Sequence, residues 1–209
     1  MTAGATPERP LVIACGALAS ELRAIVGAQG IADALEIRYL PANLHNRPER
    51  IAPAVDAALA DAGTRPVLVA YADCGTGGAL DAVLDRHPGA TRLPGPHCYE
   101  VFAGAETFAV LHDEEPGTFF LTDFLARHFD ALVWQGLGLD RHPQLLDTYF
   151  GNYRRVVLLS QSADPAVASA GARAAEQLGL AFVHRHVGRD GLAHALAVPV
   201  AVAERRSAA

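Results

Sequence analysis

The sequence predicts an α/β fold: an open, mostly parallel sheet with helices on both faces and a helical insertion in the middle of the chain. Two observations predict it. Short β-branched runs alternate with Ala/Leu-rich segments, the pattern of repeated βα units. Val67 to Tyr71 is almost wholly apolar, as expected for a strand covered on both faces of a parallel sheet. The expected organisation is a disordered N-terminus over 1–10, a single α/β domain over 11–198 with its insertion at about 116–152, and a frayed tail over 199–209.

Each element follows in order. Leu11 to Ala14 is the first strand, ending at Cys15-Gly16, and a helix runs from Ala17 to about Ala28 with Gly30 at its stop. Leu35 to Leu40 is the second strand and leads into Pro41-Ala42-Asn43-Leu44-His45-Asn46-Arg47-Pro48. Pro48 opens a helix with Ile51, Val55, Ala58 and Leu59 on one face. The third strand ends in Asp73-Cys74-Gly75-Thr76-Gly77-Gly78, before a helix through Leu80, Val83 and Leu84. Thr91 to Leu93 is a short fourth strand broken by Pro94-Gly95-Pro96, and the loop beyond presents His97-Cys98-Tyr99-Glu100.

In the middle, Phe120, Phe124, Leu125, Phe129 and Leu132 recur at helical spacing, and Pro143 to Tyr149 reads as a second helix. This insertion covers one side of the sheet or makes a subunit contact, so a homo-oligomer is one expectation. The βα pattern resumes with Val156 to Ser160, a helix from Pro165 to Leu178 and a strand from Leu180 to Val187.

Composition excludes several classes. Hydrophobic residues at 51% against 19% charged describe a globular chain, and no apolar run approaches the roughly 20 residues of a membrane span. Met1 to Pro10 lacks a basic stretch followed by an apolar one, so a cytoplasmic protein is expected. The net charge of -6, without a Lys/Arg run, argues against nucleic acid. Three widely spaced cysteines do not make a disulfide framework; reduced thiols or metal ligands remain.

Those cysteines carry the functional expectation. Cys15 and Cys74 each follow a strand and precede a glycine, and Cys98 lies after the fourth strand. Loops after parallel strands emerge on one edge, where ligands bind, so the three become candidate metal ligands. Gly16, Gly75 and Gly77 leave room and exposed amides for a bound group. Helix starts beyond Cys15 and Cys74 favour the thiolate that metal ligation needs. Three thiolates with an open position suit zinc; a three-cysteine iron–sulfur cluster is the alternative, and His97 offers a fourth ligand to either. His45 is a candidate general base with Asn46 to orient it, and Glu100 is a candidate acid/base. The Cys74-Gly75-Thr76-Gly77-Gly78 turn resembles an anion site at a helix start but lacks the Lys and spacing of a P-loop. Thr118 or Thr122 caps the helix after Pro116-Gly117. His184 and His186 share one strand face, a spacing that can bind metal.

The segments Ala14-Cys15-Gly16, Leu44-His45-Asn46-Arg47-Pro48, Asp73-Cys74-Gly75, His97-Cys98-Tyr99-Glu100 and Pro116-Gly117-Thr118-Phe119-Phe120-Leu121-Thr122-Asp123 resemble an uncharacterised prokaryotic domain-of-unknown-function family, over about Leu11 to Leu196. Members of that family often occur beside corrinoid-dependent methyltransferases. The resemblance implies a role in methyl-group or one-carbon metabolism, and it assigns no catalytic residue. Three functions are therefore open. The first is a metal-dependent enzyme or accessory protein acting on a small-molecule substrate. The second is a non-catalytic binding module for a corrinoid protein or a small ligand, suggested by the aromatic segment from Phe119 to Trp134; a corrinoid protein or a methyltransferase is the expected partner. The third is a metal-free enzyme with Cys74 as nucleophile.

Overall fold

A computed structural model describes residues 9–197; the expected frayed tail and all but Arg9 and Pro10 of the expected disordered N-terminus lie outside the described residues. The described chain forms two compact units, one made of residues 9–97 together with 192–197, the other of Cys98–Gly191. Each is α/β with its own parallel sheet.

In the first unit β1 (Leu11–Cys15), β2 (Glu36–Leu40), β3 (Val67–Ala70) and β4 (Ala90–Arg92) pair in the order β2-β1-β3-β4, all parallel. Every residue of β1 and β3 is buried, as strands covered on both faces must be. The helices of this unit include α1 (Ala19–Gln29), α2 (Ile51–Ala60) and α3 (Ala79–Leu84). The chain leaves β1 in one direction to reach β2, then crosses back to β3 on the other side. Right-handed crossovers of opposite direction put α1 and α2 on opposite faces, and α3 packs with α2. This reversal makes the gap between the carboxyl ends of β1 and β3 a topological switch point, where open α/β sheets bind ligands.

Local signals explain the helix limits. Gly30 ends α1 in the left-handed region at φ 66°, where a Cβ would be strained. Pro48 opens a single 3-10 turn, Pro48–Arg50, before α2, whose buried face holds Ile51, Val55, Ala58 and Leu59 as the periodicity predicts. Arg65 donates to Glu36 at 2.6 Å, tying the start of β2 to the residues before β3.

The second unit begins with α4 (Cys98–Ala103) and α5 (Ala105–Glu114). Then come β5 (Thr118–Leu121), α6 (Asp123–Arg127), a π-helical turn at Asp130–Trp134 and α7 (Leu146–Phe150). The unit continues with β6 (Arg155–Ser160), α8 (Pro165–Leu178) and β7 (Ala181–His186). The sheet order is β5-β6-β7. Alternation along β6 separates two cores. Val156 and Leu158 face Ala126, Val167, Ala174 and Leu178. Val157 and Leu159 face Phe108, Leu111 and Phe120. Inside α8, a Cβ on Gly171 would meet Phe182 at 3.0 Å and Leu158 at 3.1 Å, so glycine lets this helix lie close on the sheet.

The structure departs from the sequence expectation in three places. Cys98, Tyr99 and Glu100 belong to α4 rather than a loop; Val101 and Phe102, buried on that helix, supply the reason. Thr118–Leu121 opens the expected helical insertion as a strand, because it pairs with β6 more than thirty residues later, a contact that local spacing does not encode. The aromatic segment is core and not an exposed partner surface. Phe120 and Phe129 are buried, and Phe119, Leu125 and Trp134 pack on the buried cluster. Among the described residues no helix is long and apolar enough to cross a membrane.

Candidate thiol site at a sheet edge

The carboxyl ends of β1 and β3 bring together Cys15, Tyr71 and Cys74, with His45 beside them. Cys15 is the last residue of β1 and 2% exposed, and its sulfur accepts the Ala17 amide at 3.4 Å. Gly16 is glycine for a steric reason: a Cβ there would lie 2.9 Å from the Leu40 carbonyl oxygen and 3.2 Å from the Ala42 nitrogen. That close approach locks the loop after β2 against the cysteine.

Beyond β3 the chain stays extended beside the residues after β4. The Leu93 amide reaches the Tyr71 carbonyl at 3.1 Å, the Asp73 amide the Gly95 carbonyl at 3.1 Å, and the Cys74 amide the Pro96 carbonyl at 2.7 Å. Cys74 then turns into the left-handed region at φ 52°, the one non-glycine residue among those described with positive φ. Gly75, Gly77 and Gly78 follow at φ 83°, 61° and 87°, conformations that favour glycine. The amides that suggested an anion site are taken: the Asp73 carboxylate accepts from Gly78 N at 2.9 Å, Gly77 N at 3.2 Å and the Thr76 hydroxyl at 2.8 Å. The Gly78 amide, then the Thr76 hydroxyl and the other turn amides, hold the Asp73 carboxyl below its usual range. The turn supplies its own anion.

Tyr71, read from the sequence only as the end of a strand, is the residue that defines the site. It is 1% exposed, and its hydroxyl makes no regular hydrogen bond. The hydroxyl nevertheless lies near enough to the Cys15 sulfur for each to bear on the other's ionisation. Burial first, then the nearby Cys15 and Cys74, push the phenol far above its usual range. Burial likewise raises the Cys15 thiol, against the opposing pull of the Ala17 amide and the Tyr71 hydroxyl. Burial thus opposes the thiolate that the helix start after Cys15 was expected to favour, and outweighs one long amide contact. His45 sits in the 3-10 turn Ala42–Asn46, its ring centroid 6.3 Å from that of Tyr71. The residue reaches solvent, but the protein around its imidazole disfavours the charged form and lowers its pKa.

His97 ends the first unit after β4, half-buried, while Cys98 and Glu100 begin the second on α4. Among the described residues no group of three or more His, Cys, Asp or Glu side chains is arranged to hold a metal ion. The sequence thus foretold Cys15, His45 and Cys74 at one edge. It missed Tyr71, whose signal was a lone hydroxyl at the end of an otherwise aliphatic strand.

A family model described as a protein of unknown function, DUF1638, matches residues 39–196, about three quarters of the chain. The chain belongs to the DUF1638 family. The family match begins at Tyr39 rather than near Leu11, so it takes in His45, Tyr71, Cys74, His97, Cys98 and Glu100 but leaves Cys15 outside. No curated protein and no solved structure matches this DUF1638 chain.

Proposed function

We propose that the carboxyl edge of the first sheet is a metal–thiolate centre in which Cys15 and Cys74 are the protein's sulfur ligands and Tyr71 supports them. The observation that supports this reading is the buried Tyr71 hydroxyl, which has no regular hydrogen-bond partner and lies beside a sulfur. A thiol is a weak acceptor, whereas a thiolate accepts strongly; a hydroxyl and an amide aimed at Cys15 fit the thiolate, and a buried thiolate calls for a cation. Tyr71 then acts as the donor that orients a ligating sulfur. His45 and His97, from the same unit, are the nitrogen donors available to it, and Cys98 is the third thiol that the sequence offers. Zinc is the ion that Cys with His ligands favour, with an iron–sulfur cluster as the alternative; bound zinc would supply a Lewis acid for a small substrate. A place in methyl-group metabolism beside a corrinoid methyltransferase is what the sequence resemblance adds to this reading.

Elemental analysis of anaerobically purified protein tests it. About one zinc or one cluster per chain is expected, with loss in Cys15→Ser and in Cys74→Ser while circular dichroism remains native. A colourless protein assigns zinc and a broad visible band a cluster. Cys98→Ser decides whether that residue contributes. Full metal content in both Cys15→Ser and Cys74→Ser would overturn the reading.

The positive φ of Cys74 favours a second reading, a cysteine nucleophile. Backbone strain of this kind gathers at reactive positions, and Cys74 is half-buried beyond the end of β3, with His45, beside Tyr71, as the candidate base. Single-site alkylation at Cys74 by iodoacetamide, in the presence of chelator and abolished by Cys74→Ser, is the result that this alternative requires.

A further inference from the structure

The geometry points to an oxyanion-binding site at the carboxyl edge of the second unit's sheet, built from Ser160, His184, His186 and Arg189. Strands β6 and β7 pair with Ser160 opposite His186, and the two-residue strand period puts His184 on the same face. The Ser160 hydroxyl lies 2.8 Å from Nε2 of His184 and 3.1 Å from Nδ1 of His186. Ser160 is buried at the base of this group, and both histidines are exposed.

A hydroxyl has one proton and two lone pairs. When Ser160 donates to one ring, that ring carries its own proton on the outward nitrogen, Nδ1 of His184 or Nε2 of His186. When both rings are protonated, the oxygen accepts both inner N–H groups and both outward nitrogens donate. The cluster therefore presents N–H donors outward, over a fixed polar base.

Arg189 supplies the second observation. The Val187 and Gly188 amides both donate to the Ser160 carbonyl, at 2.9 and 3.2 Å, so the turn after β7 folds back on Ser160, and Arg189 is the next residue. Among the described residues its buried Nε has no hydrogen-bond partner. Buried polar atoms are satisfied in native proteins, so this guanidinium nitrogen calls for an acceptor that the described residues do not supply. The guanidinium fork is matched to carboxylate and phosphate oxygens.

Two carboxylates from neighbouring elements are already committed. Asp123 accepts from Gln161 N, Ser162 N and the Ser162 hydroxyl, and Asp164 accepts from Ala166 N and pairs with Arg127. Residues 184–190 hold two Arg, two His and a single acid, the exposed Asp190, in a chain of net charge -6. With basic residues outnumbering the acid there, an anion finds complementary charge. The ligand class is a carboxylate or a phosphate monoester.

Isothermal titration of the full chain with inorganic phosphate and, separately, with acetate tests this. Saturable binding of at least one is expected, and the tighter of the two identifies the anion class. Arg189→Gln, and His184→Gln combined with His186→Gln, should each weaken it at least about tenfold. Arg189→Lys, which keeps the charge and loses the fork, should weaken it less than Arg189→Gln, and Arg173→Gln on α8 should leave it unchanged. Circular dichroism melts establish that each variant folds. No saturable binding of either anion, or undiminished binding in Arg189→Gln, overturns the proposal; so does zinc binding at the histidine pair that is indifferent to Arg189.

Discussion

Replacing Tyr71 by Phe separates stability from function at the thiol edge. The phenol ring is 1% exposed and packs in the core of the first unit, and phenylalanine keeps that ring. What is removed is a hydroxyl with no regular hydrogen-bond partner. Burying a hydroxyl against a thiol, a weak acceptor, costs up to about 1–3 kcal/mol on the scale of protein mutations. The gap left by one oxygen atom forfeits a few contacts of about 0.1–0.2 kcal/mol each. Chelator-treated Tyr71→Phe is therefore expected to be as stable as the parent or more so, by up to about 2 kcal/mol. Equilibrium urea denaturation measures this, as a raised midpoint with an unchanged slope. Metal affinity should move the other way, falling about 10- to 100-fold as for other lost partners of metal ligands. A Tyr71→Phe protein that loses more than about 1 kcal/mol without metal would show that the hydroxyl is well partnered and would refute its proposed role.

Three further outcomes follow from the packing and the ion pairs. Asp123→Ala leaves the buried amide of Gln161 and that of Ser162 without their acceptor. A loss of about 2–5 kcal/mol is expected in urea denaturation, and a loss under about 1 kcal/mol would contradict it. Gly171→Ala gains about 1 kcal/mol of helix propensity but forces a methyl group against Phe182 and Leu158, at a cost of about 1–3 kcal/mol. A net lowering of the thermal midpoint is expected, and a rise would mean that α8 can move off the sheet. The Arg65 hydrogen bond holds the Glu36 carboxyl below its usual range, so its stabilisation is present above the unfolded pKa and is lost as pH falls through the lower folded one. Glu36→Gln should cost no more than about 1 kcal/mol at pH 7, because the pair is partly exposed, and the difference should vanish in acid; a constant difference from pH 7 to pH 3 would refute the assignment.

Some of the site was legible because it is written in local chemistry. A cysteine or histidine just after a strand must lie at the sheet's carboxyl edge, which sufficed for Cys15, His45 and Cys74. Tyr71 was not legible, since nothing in a sequence says that its hydroxyl will be buried beside the Cys15 sulfur. Nor was Ser160: His184 and His186 were visible as a same-face pair, but the serine that holds both rings comes from another strand. Cys98 and Glu100 were misplaced because the turn signal of Pro94-Gly95-Pro96 obscured the short helix that follows it.

The sequence by itself determined the α/β class, the limits of α8, the glycine stop of α1 and the proline start before α2. Each of these depends on the backbone preferences of residues a few positions apart. Tertiary structure decided that the strands divide between two sheets and that Thr118–Leu121 is one of them. It also decided which polar groups meet at each carboxyl edge. Strand pairing joins residues tens of positions apart, and its register, not any local pattern, sets which side chains share a face.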